Sequence, residues 1–169
     1  MDEWCVSGFR LGKLWGYNKK DIRYIQLGSL IQCEILNVEC SAIWVGMAIG
    51  VDMIAALKVL ELKDSGYDIK LKCAIPCLNQ FQRWSYDDQK LWHEICTRAD
   101  EVVYVSTEPF TKTCMNERNI FMVDRSVGVI GVTNGAKGGT AHCLRYAASQ
   151  NKEIITINPE IISPVLAKA

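Results

Sequence analysis

Along this chain, short apolar runs alternate with longer amphipathic ones, and that alternation restricts the fold more than any other feature. Residues 3–7, 41–45, 69–75, 101–105, 127–132 and 153–157 have the length and side chains of strands. Between them, 21–36, 51–62, 87–98, 116–125 and 140–150 follow helical spacing, as Ile22, Ile25, Leu30 and Ile31 do in the first. Strands alternating with helices predict a mostly parallel sheet covered on both faces, a three-layer α/β sandwich. In such a sheet ligands bind at the carboxyl ends of the strands, beside the point where strand order reverses. No linker, low-complexity segment or internal repeat divides the 169 residues, so one domain spanning 1–169 is expected.

Charge and cysteine content narrow the function. Lys plus Arg and Asp plus Glu both number 19, for a net charge of zero. A dedicated nucleic-acid binder ordinarily carries a basic surplus, because released phosphate counterions supply much of its affinity. No nucleic-acid partner is therefore expected. The start, Met-Asp-Glu-Trp, lacks the basic and apolar regions of a signal peptide. The most apolar stretch, 42–60, is interrupted by Asp52 and Lys58, which argues against a membrane span. The expectation is a cytoplasmic protein with no membrane partner. A disulfide framework for the eight cysteines would need export. Cys73 and Cys77 are spaced C-x3-C with no second pair, and only His93 and His142 are available beside them. Eight reduced thiols, no metal and no cofactor are expected. Cys143, near the start of the last helix, is expected to react fastest if it is exposed.

The strand ends hold the chemistry. After the first strand, Ser7-Gly8-Phe9-Arg10 offers a glycine for close approach and an arginine able to hold phosphate bidentately; a tight turn with a surface arginine explains it equally well. After the second, Gly46-Met47-Ala48-Ile49-Gly50-Val51-Asp52 runs straight into a helix, where free N–H groups and the dipole favour an anion. Asp52 fits a ribose hydroxyl or simply the first helical turn. After the fifth, Gly138, Gly139 and Thr140 open another helix. One such turn is commonplace, but two at the same edge of one sheet favour phosphate binding. The third strand ends in Pro76, followed by Gln80, Arg83 and Trp84; the tryptophan can stack on a base while Gln80 reads its edge, or merely cover the sheet. Arg118, Asn119 and Asp124 suit either the site or a solvated face. No paired-carboxylate motif, nucleophile elbow or P-loop is present, so no catalytic residue is assigned.

These motifs taken in order, S-G-F-R-L-G-K-L-W-G-Y, G-M-A-I-G-V-D-M-I-A-A, I-P-C-L-N-Q-x-x-R-W, A-D-E-V-V-Y-V-S, R-N-x-x-M-V-D-R-S and G-G-T-A-H-C-L-R-Y-A, resemble the SLOG superfamily. The branch they are most similar to is the DUF1273 or YpsA-like group carried by Firmicutes and their phages. The resemblance runs from about Trp4 to Pro159. It implies a Rossmann-like sheet that binds nucleotides or nucleotide-derived signals, of ADP-ribose, NAD-related or cyclic type. It also implies a ligand edge made by Ser7, Gly8, Phe9 and Arg10, by Gly46, Met47, Gly50, Val51 and Asp52, and by Gly138, Gly139 and Thr140. Pro76, Gln80, Trp84, Arg118, Asn119 and Asp124 fall on further recurrent positions. Relatives usually have T-G-H-R-P where this chain has Ser7, Phe9 and Leu11 in place of the threonine, histidine and proline, which removes a histidine from the site. The related LOG phosphoribohydrolases carry P-G-G-x-G-T-x-x-E, and the glutamate of that motif has no counterpart here.

The leading expectation is thus a protein that binds a nucleotide-derived small molecule, as a sensor or to sequester it, which in a phage would serve anti-defence. The alternative is an N-glycosidase acting on nucleoside monophosphates, and a third reading is an interaction module with a vestigial site. A homo-oligomer is expected, with the apolar helix 51–62 as its contact.

Overall fold

The structure is a computed structural model that describes residues 2–164; residue 1 and residues 165–169 of the expected domain lie outside the described part. Six strands form one all-parallel sheet: β1 (Glu3–Gly8), β2 (Ala42–Val45), β3 (Lys70–Ile75), β4 (Glu101–Tyr104), β5 (Gly128–Val132) and β6 (Glu153–Ile157). Their order is β4-β3-β2-β1-β5-β6, so β1 is flanked by β2 and β5 and strand order reverses beside it. β2 and β5 are buried at every position, which suits unbroken apolar runs such as Ala-Ile-Trp-Val.

Five helices cover the sheet: α1 (Ile22–Asn37), α2 (Val51–Asp64), α3 (Tyr86–Arg98), α4 (Cys114–Asp124) and α5 (Gly139–Ser149). α1, α2 and α3 lie together over one face, and α4 and α5 over the other. The first face holds the larger core, with Leu27, Ile31, Val59 and Leu71 fully enclosed. The second is a smaller cluster around Cys5, Trp44, Met122 and Cys143. This is the α/β Rossmann-like sandwich expected, with every strand parallel.

One expectation changes. The apolar helix expected to mediate self-association is α2, and its Val51, Met53, Ala55, Ala56, Val59, Leu60 and Leu62 are buried inside the monomer. It sits between α1, α3 and the sheet and offers no broad apolar face to a second copy. Two one-turn 3-10 helices, Leu11–Lys13 and Pro159–Ile161, follow no long apolar period and were not anticipated. Among the described residues, no helix is long and apolar enough to cross a membrane.

Candidate functional site

Three concavities follow one another along the carboxyl edge of the sheet, of about 380, 350 and 330 Å³. All three are bordered by Arg10 and Met115, so they form consecutive lobes of one trough. The first lobe lies at the strand-order reversal. Its walls come from the end of β1 (Ser7, Gly8, Phe9, Arg10), from α4 (Arg118, Asn119) and from the start of α5 (Gly139, Thr140). Residues as far apart as 7 and 140 meet there because β1 and β5 are hydrogen-bonded neighbours.

The floor is a buried ion pair. Arg118 and Asp52 are each 5% exposed, with Arg118 Nη1 3.6 Å from Asp52 Oδ2. Arg118 also donates through Nη1 to the Gly46 carbonyl and through Nε to Asn119 Oδ1 at 2.9 Å. A Cβ at Gly46 would occupy the space of that guanidinium, so glycine is required there by close approach. Asp52 Oδ2 accepts from the Ala48 N–H at 3.2 Å. Burial pushes the Asp52 carboxyl up, while the Arg118 charge and the Ala48 N–H pull it back; burial likewise pushes Arg118 down. Removing either partner of such a pair costs about 3–5 kcal/mol, which marks it as structural. Asp52 is the one carboxylate lining the first lobe.

The two glycine-rich helix starts differ. At α2, Gly50 has φ +127°, the Val51 N–H donates to the Phe9 carbonyl at 3.1 Å, and Arg10 bridges to Gly50. That start is closed by the β1 loop. At α5, Gly138 has φ +148° and no side chain caps the helix. The first amide bonded within the helix is that of His142, to the Gly138 carbonyl at 3.0 Å, so those of residues 139–141 precede it. Gly139 and Thr140 border the trough, and an added Cβ at Gly139 would meet nothing within 4 Å. Lys13 Nζ donates to the Lys137 carbonyl at 3.1 Å, next to this start, and sits 5.5 Å from the Phe9 ring centroid. The exposed Arg10 guanidinium makes no hydrogen bond or ion pair among the described residues.

Of the residues expected at the ligand edge, Ser7, Gly8, Phe9, Arg10, Asp52, Arg118, Asn119, Gly139 and Thr140 come together in the first lobe. Gln80 and Trp84 border the second and third. Met47 and Val51 are core residues, Pro76 is buried, and Gly46 and Gly50 support the wall from behind. Gly138 caps α5 without lining a lobe. Asp124 stands exposed at the far end of α4, where it accepts from Tyr146 at 2.8 Å. Gln80 is not free to read a base: its Nε2 donates to the Gly46 carbonyl at 2.9 Å, and its Oε1 accepts from Trp92 at 3.0 Å. Lys13, Tyr17 and Met115 also line the trough without having been singled out. Lys13 and Tyr17 belong to the loop after β1, where glycines and aromatic side chains are the sequence signal that could have found them.

All eight cysteines are free thiols, and among the described residues no cluster of three His, Cys, Asp or Glu side chains is placed to hold a metal. The exposure on which the expected reactivity of Cys143 depended is absent: it is 0% exposed, and burial pushes its thiol up despite the helix start nearby. Cys33 is the exposed thiol.

Comparison with known proteins adds the family and the fold. The model of the YspA SLOG family (YpsA) matches residues 4–164. The SPbeta prophage-derived protein YoqJ of Bacillus subtilis is 35% identical over an alignment of 114 residues that covers 60% of this chain and 66% of YoqJ. A UPF0398 protein of Brevibacillus brevis is 27% identical over 152 residues, covering 88% of this chain and 81% of that one. Among solved structures, DNA processing protein A of Streptococcus pneumoniae superposes with a TM-score of 0.68 at 19% identity, over 97% of this chain and 53% of that one. The Helicobacter pylori protein, described for its single-stranded DNA binding mode, superposes with a TM-score of 0.64 at 20% identity, over 91% and 64%. That likeness overturns the expectation of no nucleic-acid partner, because a fold of this kind serves a single-stranded DNA binder. Zero net charge is a sum over the whole surface, whereas an anion responds to the local field. Here Arg10, Lys13 and Arg83 gather on one edge.

Proposed function

The chain belongs to the YspA SLOG family, and from that premise we propose that its trough binds a nucleotide-derived ligand by the phosphate, holding it rather than transforming it. The observation that carries this reading is the uncapped start of α5 facing the same lobe as the unpaired Arg10 and as Lys13. A helix start with its dipole and two cations border one lobe, which suits an anion. The lone carboxylate of the lobe, Asp52, is committed to Arg118 and the Ala48 N–H, which leaves no free carboxylate there for glycosidic cleavage. A protein that holds a nucleotide signal without turnover works as its sensor or as a sink for it. The fold likeness to a single-stranded DNA binder favours a second reading, in which the phosphate belongs to a DNA strand.

Incubation with nucleoside monophosphates, ADP-ribose, NAD, cyclic nucleotides and short single-stranded DNA, followed by mass spectrometry of the mixture and of the denatured protein, tests this. Intact nucleotide recovered from the protein is the expected result. Released free base would replace it with N-glycosidase activity, and retention of DNA alone with the second reading. Recovery of neither would reject both.

A further inference from the structure

We infer that the outer lobe of the trough is a second anion subsite, so that the ligand is a unit with two separated phosphates, of dinucleotide size, rather than a mononucleotide. This rests on the reading of the first lobe as a phosphate site. The outer lobe, about 330 Å³, is bordered by Arg10, Arg83, Trp84 and Phe110. Arg83 is exposed and, like Arg10, makes no hydrogen bond or ion pair among the described residues. The one acid bordering the lobes between them, Asp88, is already engaged: it accepts from Lys19 and from Ser85 Oγ. Lys13 and the α5 start border the first lobe alone, Arg83 borders the second and third, and Arg10 borders all three, so positive charge runs the length of the trough.

Exposed aromatic rings border every lobe. Tyr17, 76% exposed, borders the first and second lobes, and Phe110, 60% exposed, borders the third. The Phe110 backbone is pinned by its N–H donating to Asn79 Oδ1 at 2.8 Å, so the ring is exposed on an anchored loop. Charges that track a phosphate chain, interleaved with aromatic faces for bases, are the arrangement that suits successive nucleotides. Each lobe alone is at the lower end of the roughly 300–1,000 Å³ of small-molecule sites, so a mononucleotide would leave most of the trough empty. With Gln80 spent on Gly46 and Trp92, the middle of the trough stacks bases without reading their edges.

Calorimetric titration with adenosine monophosphate and with 5′-phosphorylated diadenylate, for the native chain and for Arg83→Gln, tests this. The native chain should bind the diadenylate about tenfold more tightly than the monophosphate, as one added charge-assisted contact allows. Its log affinity should fall with log salt more steeply by about 0.7, the increment for one further phosphate of a single strand. Arg83→Gln should erase both differences and leave the monophosphate affinity unchanged. Equal native affinity for the two probes, or a variant that weakens both alike or neither, overturns the second subsite while leaving the first intact. No binding of either probe by the native chain overturns the phosphate reading itself.

Discussion

α2 and α5 begin with the same device and put it to different uses. Each follows a buried strand, each is capped by a glycine at positive φ, and neither has a side-chain cap. At α2 the space over the helix start is filled by its own chain, with the Phe9 carbonyl on the Val51 amide and Asp52 folded back onto Ala48. At α5 no such plug exists, and the start borders the trough. A glycine-rich strand-to-helix turn thus specifies a tight backbone path. Whether it also binds an anion depends on what the rest of the chain lays over it.

The largest effect that this contrast predicts is on stability. Gly50→Ala places a Cβ 2.5 Å from the Phe9 carbonyl oxygen and 2.8 Å from Arg10 Cα at a φ that L residues avoid, and the obstacle is backbone that cannot swing aside. Denaturant unfolding should show a loss of about 2 kcal/mol or more. Gly139→Ala meets no neighbour and should change stability by less than about 1 kcal/mol. Equal losses at the two sites would mean that the α5 start is as tightly enclosed as that of α2.

Next comes binding. Gly139→Asp puts a carboxylate where the phosphate is proposed to sit, and affinity for a phosphorylated ligand should fall at least tenfold. The same carboxylate favours the first turn of a free helix, by about 0.3–1 kcal/mol, so the variant should melt no lower than the native chain. Unchanged affinity in a soluble, folded variant would remove the Gly138–Thr140 turn from the site. Arg10→Gln, at an exposed side chain, should weaken the same ligand by a smaller factor, about three- to tenfold, with no change in unfolding. Affinity unchanged by that substitution would remove Arg10 from the site.

Most of the architecture was legible because it rests on local period: the expected helix bounds lie within two residues of those of α1, α2, α3, α4 and α5. What escaped was set by contacts distant in sequence. Arg118 was expected among the ligand-edge residues, with a solvated face as the alternative, yet it reaches 72 positions back to the Gly46 carbonyl and ties α4 to the β2 turn. Its partner there, Gly46, was expected to face ligand and instead makes room for a guanidinium. Gln80 fails as a base reader for the same reason, since its two partners lie 34 and 12 positions away. Lys13 and Tyr17 lie in a loop with no period to follow, and only the sheet order brings them over the α5 start. The α2 plug was equally hidden, because nothing in the Gly46–Asp52 string announces that Phe9 will lie across it.

The smallest effect separates both glycine starts from one capped by a side chain. α1 begins at Asp21, whose carboxylate accepts from the Arg23 N–H at 3.0 Å and from Arg23 Nε and Nη2 at 2.9 and 2.6 Å. The hydrogen bonds from the Arg23 side chain, then that from its backbone, hold the Asp21 carboxyl at about 2, below its ordinary 3.8. A carboxyl lowered in the folded state contributes its stability above the unfolded value and loses it as pH falls through the folded one. That contribution should therefore be complete above about pH 4 and decline toward pH 2. Asp21→Ala should lower stability at neutral pH and flatten this part of the acid-unfolding profile. Gly138→Ala, at a cap with no titrating side chain, should leave the profile's shape unchanged whatever it does to its height. Equilibrium unfolding of the three proteins from pH 2 to 7 measures this, and parallel profiles for native chain and Asp21→Ala would show that the α1 cap contributes nothing that depends on its charge.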